Sequence, residues 1–197
     1  MFVRLLCVTV GAAMAIACSS PASTPMHAMS GNPAMTPEEL IKVALSSAPG
    51  DISAPAAVVD MDEQMNMKEL RPGTNGWTCM ARPEGMCVDK EWMAFLDSYM
   101  HKTEPHVNAI GIGYMLNGDK GASNTDPYAE KETPDNHWVV SPPHVMIITP
   151  DTRQLDVLPA DWHNGGPWVM WKGTKYAHIM VPTTAMAAGM NMGNMGK

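Results

Sequence analysis

The chain has 197 residues, 45% of them hydrophobic and 17% charged, and 20 acidic against 13 basic side chains give a formal charge of −7. That length suits one domain, or two small ones, with enough apolar material for a core. The acidic balance, without any Lys/Arg cluster, argues against nucleic acid or an anionic membrane surface as partner, and twenty Met against two Phe is the compositional outlier.

Residues 1–17 read MFVRLLCVTVGAAMAIA. One early Arg, a short apolar stretch and a small-residue exit predict a secretory signal peptide. The apolar run from Leu5 to Ala17 is 13 residues, too short for a helix to cross a bilayer core of about 30 Å. Ala15-Ile16-Ala17-Cys18 resembles a bacterial lipobox, in which Cys18 is lipidated and anchors the protein to the membrane. Ala15 departs from the usual Leu, and simple cleavage after Ala17 is the alternative. Either way the chain is expected to be exported, as a periplasmic or outer-membrane-anchored lipoprotein of the cell envelope. Loss of Arg4 then leaves 12 basic against 20 acidic side chains, a charge of −8. Residues 18–35 follow as the lipidated Cys and a flexible tether, poor in charge and rich in small residues and proline.

A single domain is expected over 36–182. Thr36-Pro37-Glu38-Glu39 has the form of a capping box with Pro at the first helical position, and the helix should run until Pro49-Gly50. A second helix is expected from about Asp89 to Lys102, burying Trp92, Phe95, Leu96 and Tyr99 on one stripe. Strands are predicted at Ala57–Met61 and Met67–Arg71 as a hairpin, and then at Gly76–Met80, Ala109–Leu116 and Trp138–Thr149. Trp168–Lys172 and Tyr176–Pro182 should form a tight hairpin around Gly173-Thr174. Pro142-Pro143 implies an edge position or a bulge. Grouped strands with two or three helices give an α+β fold with a mostly antiparallel sheet. Cys79 and Cys87, in an oxidising compartment, should form a disulfide. A two-thiolate metal site is the alternative, but its spacing is unusual and no second pair is present.

Arg71-Pro-Gly-Thr-Asn-Gly-Trp-Thr-Cys79, Gly121-Ala-Ser-Asn-Thr-Asp-Pro-Tyr128, Val169-Met-Trp-Lys-Gly-Thr174 and Tyr176-Ala-His-Ile-Met-Val-Pro182 resemble the signature runs of a family of uncharacterised bacterial exported proteins. The resemblance spans roughly residues 40–182. It implies export and one domain; the family has no established activity, so it supplies no catalytic residue.

Motifs for covalent haem, zinc peptidases, serine hydrolases, Walker loops and dinucleotide turns are absent. The positive signal is His beside Met. His144-Val-Met146 and His178-Ile-Met180 are both H-x-M on predicted strands, and period-2 geometry puts His and Met of each pair on one face. Imidazole and thioether are ligands for Cu(I) and not for Mg²⁺ or Ca²⁺. Trp171, across a two-residue hairpin from Tyr176, would share the face of His178 and shield a soft cation. The plainer reading is a Met-filled core with hydrogen-bonded histidines.

Beyond Pro182 the expected disordered tail carries Met186, Met190, Met192 and Met195, and Met26-His27-Ala-Met29 lies in the tether. Without a core to fill, these tail thioethers are candidate labile Cu(I) ligands; sacrificial oxidation to the sulfoxide is the competing account. A binding protein holding or buffering a soft metal is therefore the first functional reading. The alternative is a small-molecule binder or enzyme using the long 119–136 loop. Asn124, Asp126, Tyr128 and Asp135 would line its site, with His144 or His178 as acid/base.

Overall fold

In the computed structural model, residues 35–62 and 66–184 are described. The chain begins there with the capping box: Thr36 N–H donates to Glu39 Oε2 at 2.8 Å and Glu39 N–H donates to Thr36 Oγ1 at 3.2 Å. Helix α1 (Pro37–Leu45) follows and buries Leu40 and Ala44. It ends earlier than the Pro49-Gly50 stop, and that pair instead opens the short α2 (Gly50–Ser53). Helix α3 (Lys90–Met100) starts at Asp89, whose carboxylate caps Trp92 N–H at 2.9 Å and also accepts Ile112 N–H at 2.7 Å. One side chain thus starts the helix and ties it to the sheet beneath. Trp92 and Phe95 are buried as expected, while Leu96 and Tyr99 are half-buried.

The fold is α+β. Ten strands run in chain order: β1 (Ala57–Met61), β2 (Met67–Arg71), β3 (Thr78–Met80), β4 (Met86–Val88), β5 (Gly111–Met115), β6 (Ala122–Ser123), β7 (Trp138–Val139), β8 (His144–Ile148), β9 (Trp168–Met170) and β10 (His178–Pro182). Eight form one sheet in the order β2-β1-β3-β4-β5-β8-β10-β9, and β6 pairs with β7 in a small second sheet. Every pairing is antiparallel except β1 with β3. At the two ends, β2 carries the exposed Lys68 and Glu69, whereas β9 is wholly buried and its Val169 N–H donates to Pro159 O.

Alternation along the strands divides the core. One face lies under α1 and gathers Leu40, Ala44, Ala56, Val58, Cys79 and Cys87. Cys79 and Cys87 stand directly opposite each other in the β3–β4 hairpin and form a disulfide. The other face lies under α3 and gathers Met80, Trp92, Phe95, Met115, Met146 and Met180 with further apolar residues. Glycines at alternate positions of β5 let α3 come close. A Cβ on Gly113 would stand 3.0 Å from the Met146 methyl and 3.5 Å from the Trp92 ring.

Three expectations are corrected. The segment 138–149 is two strands in different sheets, because Pro142 and Pro143 interrupt the ladder where the chain passes from one to the other. The 119–136 segment, read as one long loop, holds the short strand β6. The β9–β10 connection is no two-residue turn. His178 faces Met170 in register, and Trp171 has left the strand with φ 55°.

Candidate metal centre

The face beneath α3 is set by strand register. Met115 of β5 lies opposite His144 of β8, which lies opposite Pro182 of β10. One layer along, Gly113, Met146, Met180 and Trp168 form a row across β5, β8, β10 and β9. At the far end of β10, His178 faces Met170. The row containing His144 continues to the other side, where the β4–β5 register carries on to half-buried Met86 beside Met115, and Met86 pairs with Met80.

Both H-x-M pairs therefore lie on one face of adjacent strands, and their two methionines are directly opposed. The histidines are not. His144 faces Pro182, four residues from His178, an offset of about 13 Å along the strand at 3.3 Å per residue. The Met146–Met180 pair stands between them, so the register does not bring all four side chains level with one another. Met115 and Met170, the nearest cross-strand thioethers to His144 and His178, were not singled out by the sequence. The Gly-x-Gly-x-Met alternation of β5 was the signal that could have found Met115.

His144 is fully buried, and its Nδ1–H donates to Pro142 O at 2.7 Å. A carbonyl only accepts, so that bond fixes the proton on Nδ1 and leaves Nε2 with a free lone pair. Nε2 has no hydrogen-bond partner; with Ser141 Oγ it is one of two such buried side-chain atoms among the described residues. Burial holds the ring's pKa below its usual value, against the Pro142 hydrogen bond and the negative charge of Asp119, which pull it up. Asp119 accepts N–H from Gly121 and Ser141. Glu84 lies close to Asp119 and accepts N–H from Lys120; burial, first of all, raises its carboxyl pKa.

His178 is arranged the same way, with Nδ1–H donating to Tyr176 O at 3.0 Å. Its ring meets Trp171, Trp92 and Phe95 edge-on, with centroids 4.9, 5.4 and 6.2 Å away. Trp171 reaches the His178 ring from a wider turn than the two-residue hairpin expected. Burial pushes the His178 pKa down to about 4, and the neighbouring His144 also disfavours its charge. Neutral imidazole, with the other ring nitrogen tied to a backbone carbonyl, is the state in which histidine ligates metals. Among the described residues no three His, Cys, Asp or Glu side chains come together around a common point.

No protein family, curated protein or solved structure matches this chain.

The loop candidates have other work. Asn124 is buried; its Nδ2–H donates to Ala160 O and its Oδ1 accepts Trp168 Nε1–H. Asp126 caps Tyr128 N–H. Tyr128 stacks on Tyr99, which stacks in turn on Trp171, with centroids 5.5 and 5.3 Å apart. A cavity of about 420 Å³ opens elsewhere, with Phe95, Ile148 and Val169 in its floor and Glu104, Arg153 and Lys172 at its rim. Neither the 119–136 loop nor either buried histidine lines it. Cys18, the tether with Met26 and Met29, and the tail residues Met186, Met190, Met192 and Met195 lie outside the described residues.

Proposed function

We propose that this protein binds a soft metal ion, Cu(I), on the face beneath α3, with the centre at His144. The observation that carries this is the His144 Nε2 lone pair. It is buried, it is unpartnered, and it sits in a row of thioethers that includes Met115. An orphaned acceptor in an apolar interior costs free energy, typically about 1–3 kcal/mol, unless something occupies it. Soft imidazole and thioether donors select Cu(I) over hard cations. Met115, Met146 and half-buried Met86 are the thioethers nearest to it by register. All these donors are neutral, so binding brings in one positive charge, which Asp119 and Glu84 offset from outside.

The setting agrees with this chemistry. A disulfide suits an oxidising, exported location, and no described helix is long and apolar enough to cross a membrane. Where cysteine thiols are lost to oxidation, methionine keeps its ligand character. We read the protein as envelope-anchored through Cys18. The test is an anaerobic Cu(I) titration against a competing chelator, on the chain from Cys18 onward and its Met115→Leu variant. Met115→Leu conserves volume and should cost under about 1.5 kcal/mol of stability, yet weaken Cu(I) binding at least tenfold. Equal affinity in the two proteins would exclude Met115, and no competition by the parent would end the metal reading.

The cavity supports a second reading, a binder of small organic molecules. Its volume lies within the range of ligand pockets, and an apolar floor with a charged rim suits such a ligand. An acid/base role for His144 or His178 gains nothing from it, because neither lines it.

A further inference from the structure

The cavity beside β9 carries charges at its rim that are not all paired. Arg153 makes two bonds of 2.8 Å to the Asp151 carboxylate, and Lys175 Nζ stands 3.7 Å from Glu104. Lys172 and Asp156 are left over, and neither is in an ion pair among the described residues. Lys172 is nonetheless fixed. Its Nζ donates to Asp156 O at 2.9 Å and to Leu158 O at 2.5 Å, at the end of the 3-10 helix Thr152–Val157. An ammonium has three N–H donors, so one N–H and the whole positive charge remain available. The bond to Asp156 O also holds the two residues side by side. Beneath them Leu155, Val169 and Ala177 join Phe95 and Ile148 in a buried apolar floor.

We infer that this cavity takes a free α-amino acid with an apolar side chain, its carboxylate on Lys172, its ammonium on Asp156 and its side chain on the floor. This rests on the second reading above and names the ligand class for it. An α-amino acid carries both charges on one carbon, which is what a cation and a carboxylate on neighbouring residues can meet together. A simple carboxylic acid would leave Asp156 facing its own kind of charge, and either end of a peptide offers only one of the two charges. The volume of about 420 Å³ is at the small end of the range for ligand pockets, roughly 300–1,000 Å³, and suits a molecule of this size.

The test is NMR titration of the full chain from Cys18, read at the ¹³C-methyl groups of Ile148 and Val169. The probes are L-phenylalanine, L-leucine, 3-phenylpropanoate, which lacks the ammonium, and 2-phenylethylamine, which lacks the carboxylate. At least one amino acid should shift both methyls saturably, and each one-charge analogue should bind about fivefold or more weakly than L-phenylalanine. Asp156 is exposed, so Asp156→Asn should fold normally; it should weaken L-phenylalanine about fivefold and leave 3-phenylpropanoate unchanged. Lys172→Gln should weaken both by about tenfold; should it not fold, the analogues and Asp156→Asn decide alone. If 3-phenylpropanoate binds as tightly as L-phenylalanine, or Asp156→Asn leaves L-phenylalanine binding unchanged, this inference fails and a cavity for small organic molecules stands. If none of the four probes moves these methyls at millimolar concentration, both fail.

Discussion

Under α1 the sheet is covered by alanine, leucine and valine around a disulfide, whereas under α3 it is covered by thioethers, aromatic rings and two imidazoles. The first face is closed chemistry. Its sulfur is already oxidised, and its buried cluster holds no acid or base. The second keeps its sulfur as thioether and one buried imidazole nitrogen, His144 Nε2, without a hydrogen-bond partner. Both hold the fold together, but only the second has donor atoms left over. That contrast teaches where to look for function when no match supplies it: in the core whose polar atoms are not all used.

The largest expected effect tests whether the α3 face is packed as tightly as its glycines imply. Trp92 meets Phe95 at 4.8 Å and His178 at 5.4 Å, and its Nε1–H donates to Met146 O at 3.2 Å. Trp92→Ala should cost about 3–5 kcal/mol in chemical denaturation; a cost under 1 kcal/mol on this scale would mean the layer is loose.

Next comes acid. His178 titrates near 4 when folded and near 6.5 when unfolded. The unfolded chain therefore binds the extra proton between those values, and stability falls as pH drops through that window. By pH 4 the loss from this ring is about 3 kcal/mol. His144, also lowered, acts in the same direction, while Glu84, raised, acts against them. Denaturation midpoints for the parent and His178→Phe at pH 7 and 4.5 should diverge, with the variant losing less; parallel loss would place the acid sensitivity elsewhere.

The smallest effect belongs to the other face. Replacing Cys79 and Cys87 by Ala should cost roughly 2–3 kcal/mol by the loop-closure argument. Crossing the two perturbations sharpens the comparison. The disulfide-free variant should keep the parent's pH profile, and a changed profile would mean that the two faces are coupled.

Local signals carried much of this fold. The capping box of α1, the Asp89 start of α3 and the bounds of β1 and β2 were all legible, because each depends on residues within a few positions. The Cys79–Cys87 pairing was legible from spacing and from the expected oxidising compartment. What could not be read depends on distant partners. The parallel β1–β3 pairing, the strand in the 119–136 loop and the wide turn at Trp171 are fixed by tertiary contacts. At the candidate centre, the H-x-M pattern gave the right face but not the register, and register alone decides that His144 faces Met115 instead of His178.

The charged edge of the sheet has a consequence for life in a crowded compartment. β9 is closed off, so β2 is the border along which another chain's strand would add. Lys68 and Glu69 stand on it, and inserting charged side chains at a free edge is how soluble sheets discourage intermolecular pairing. Neutralising both would remove that guard and favour strand addition along β2.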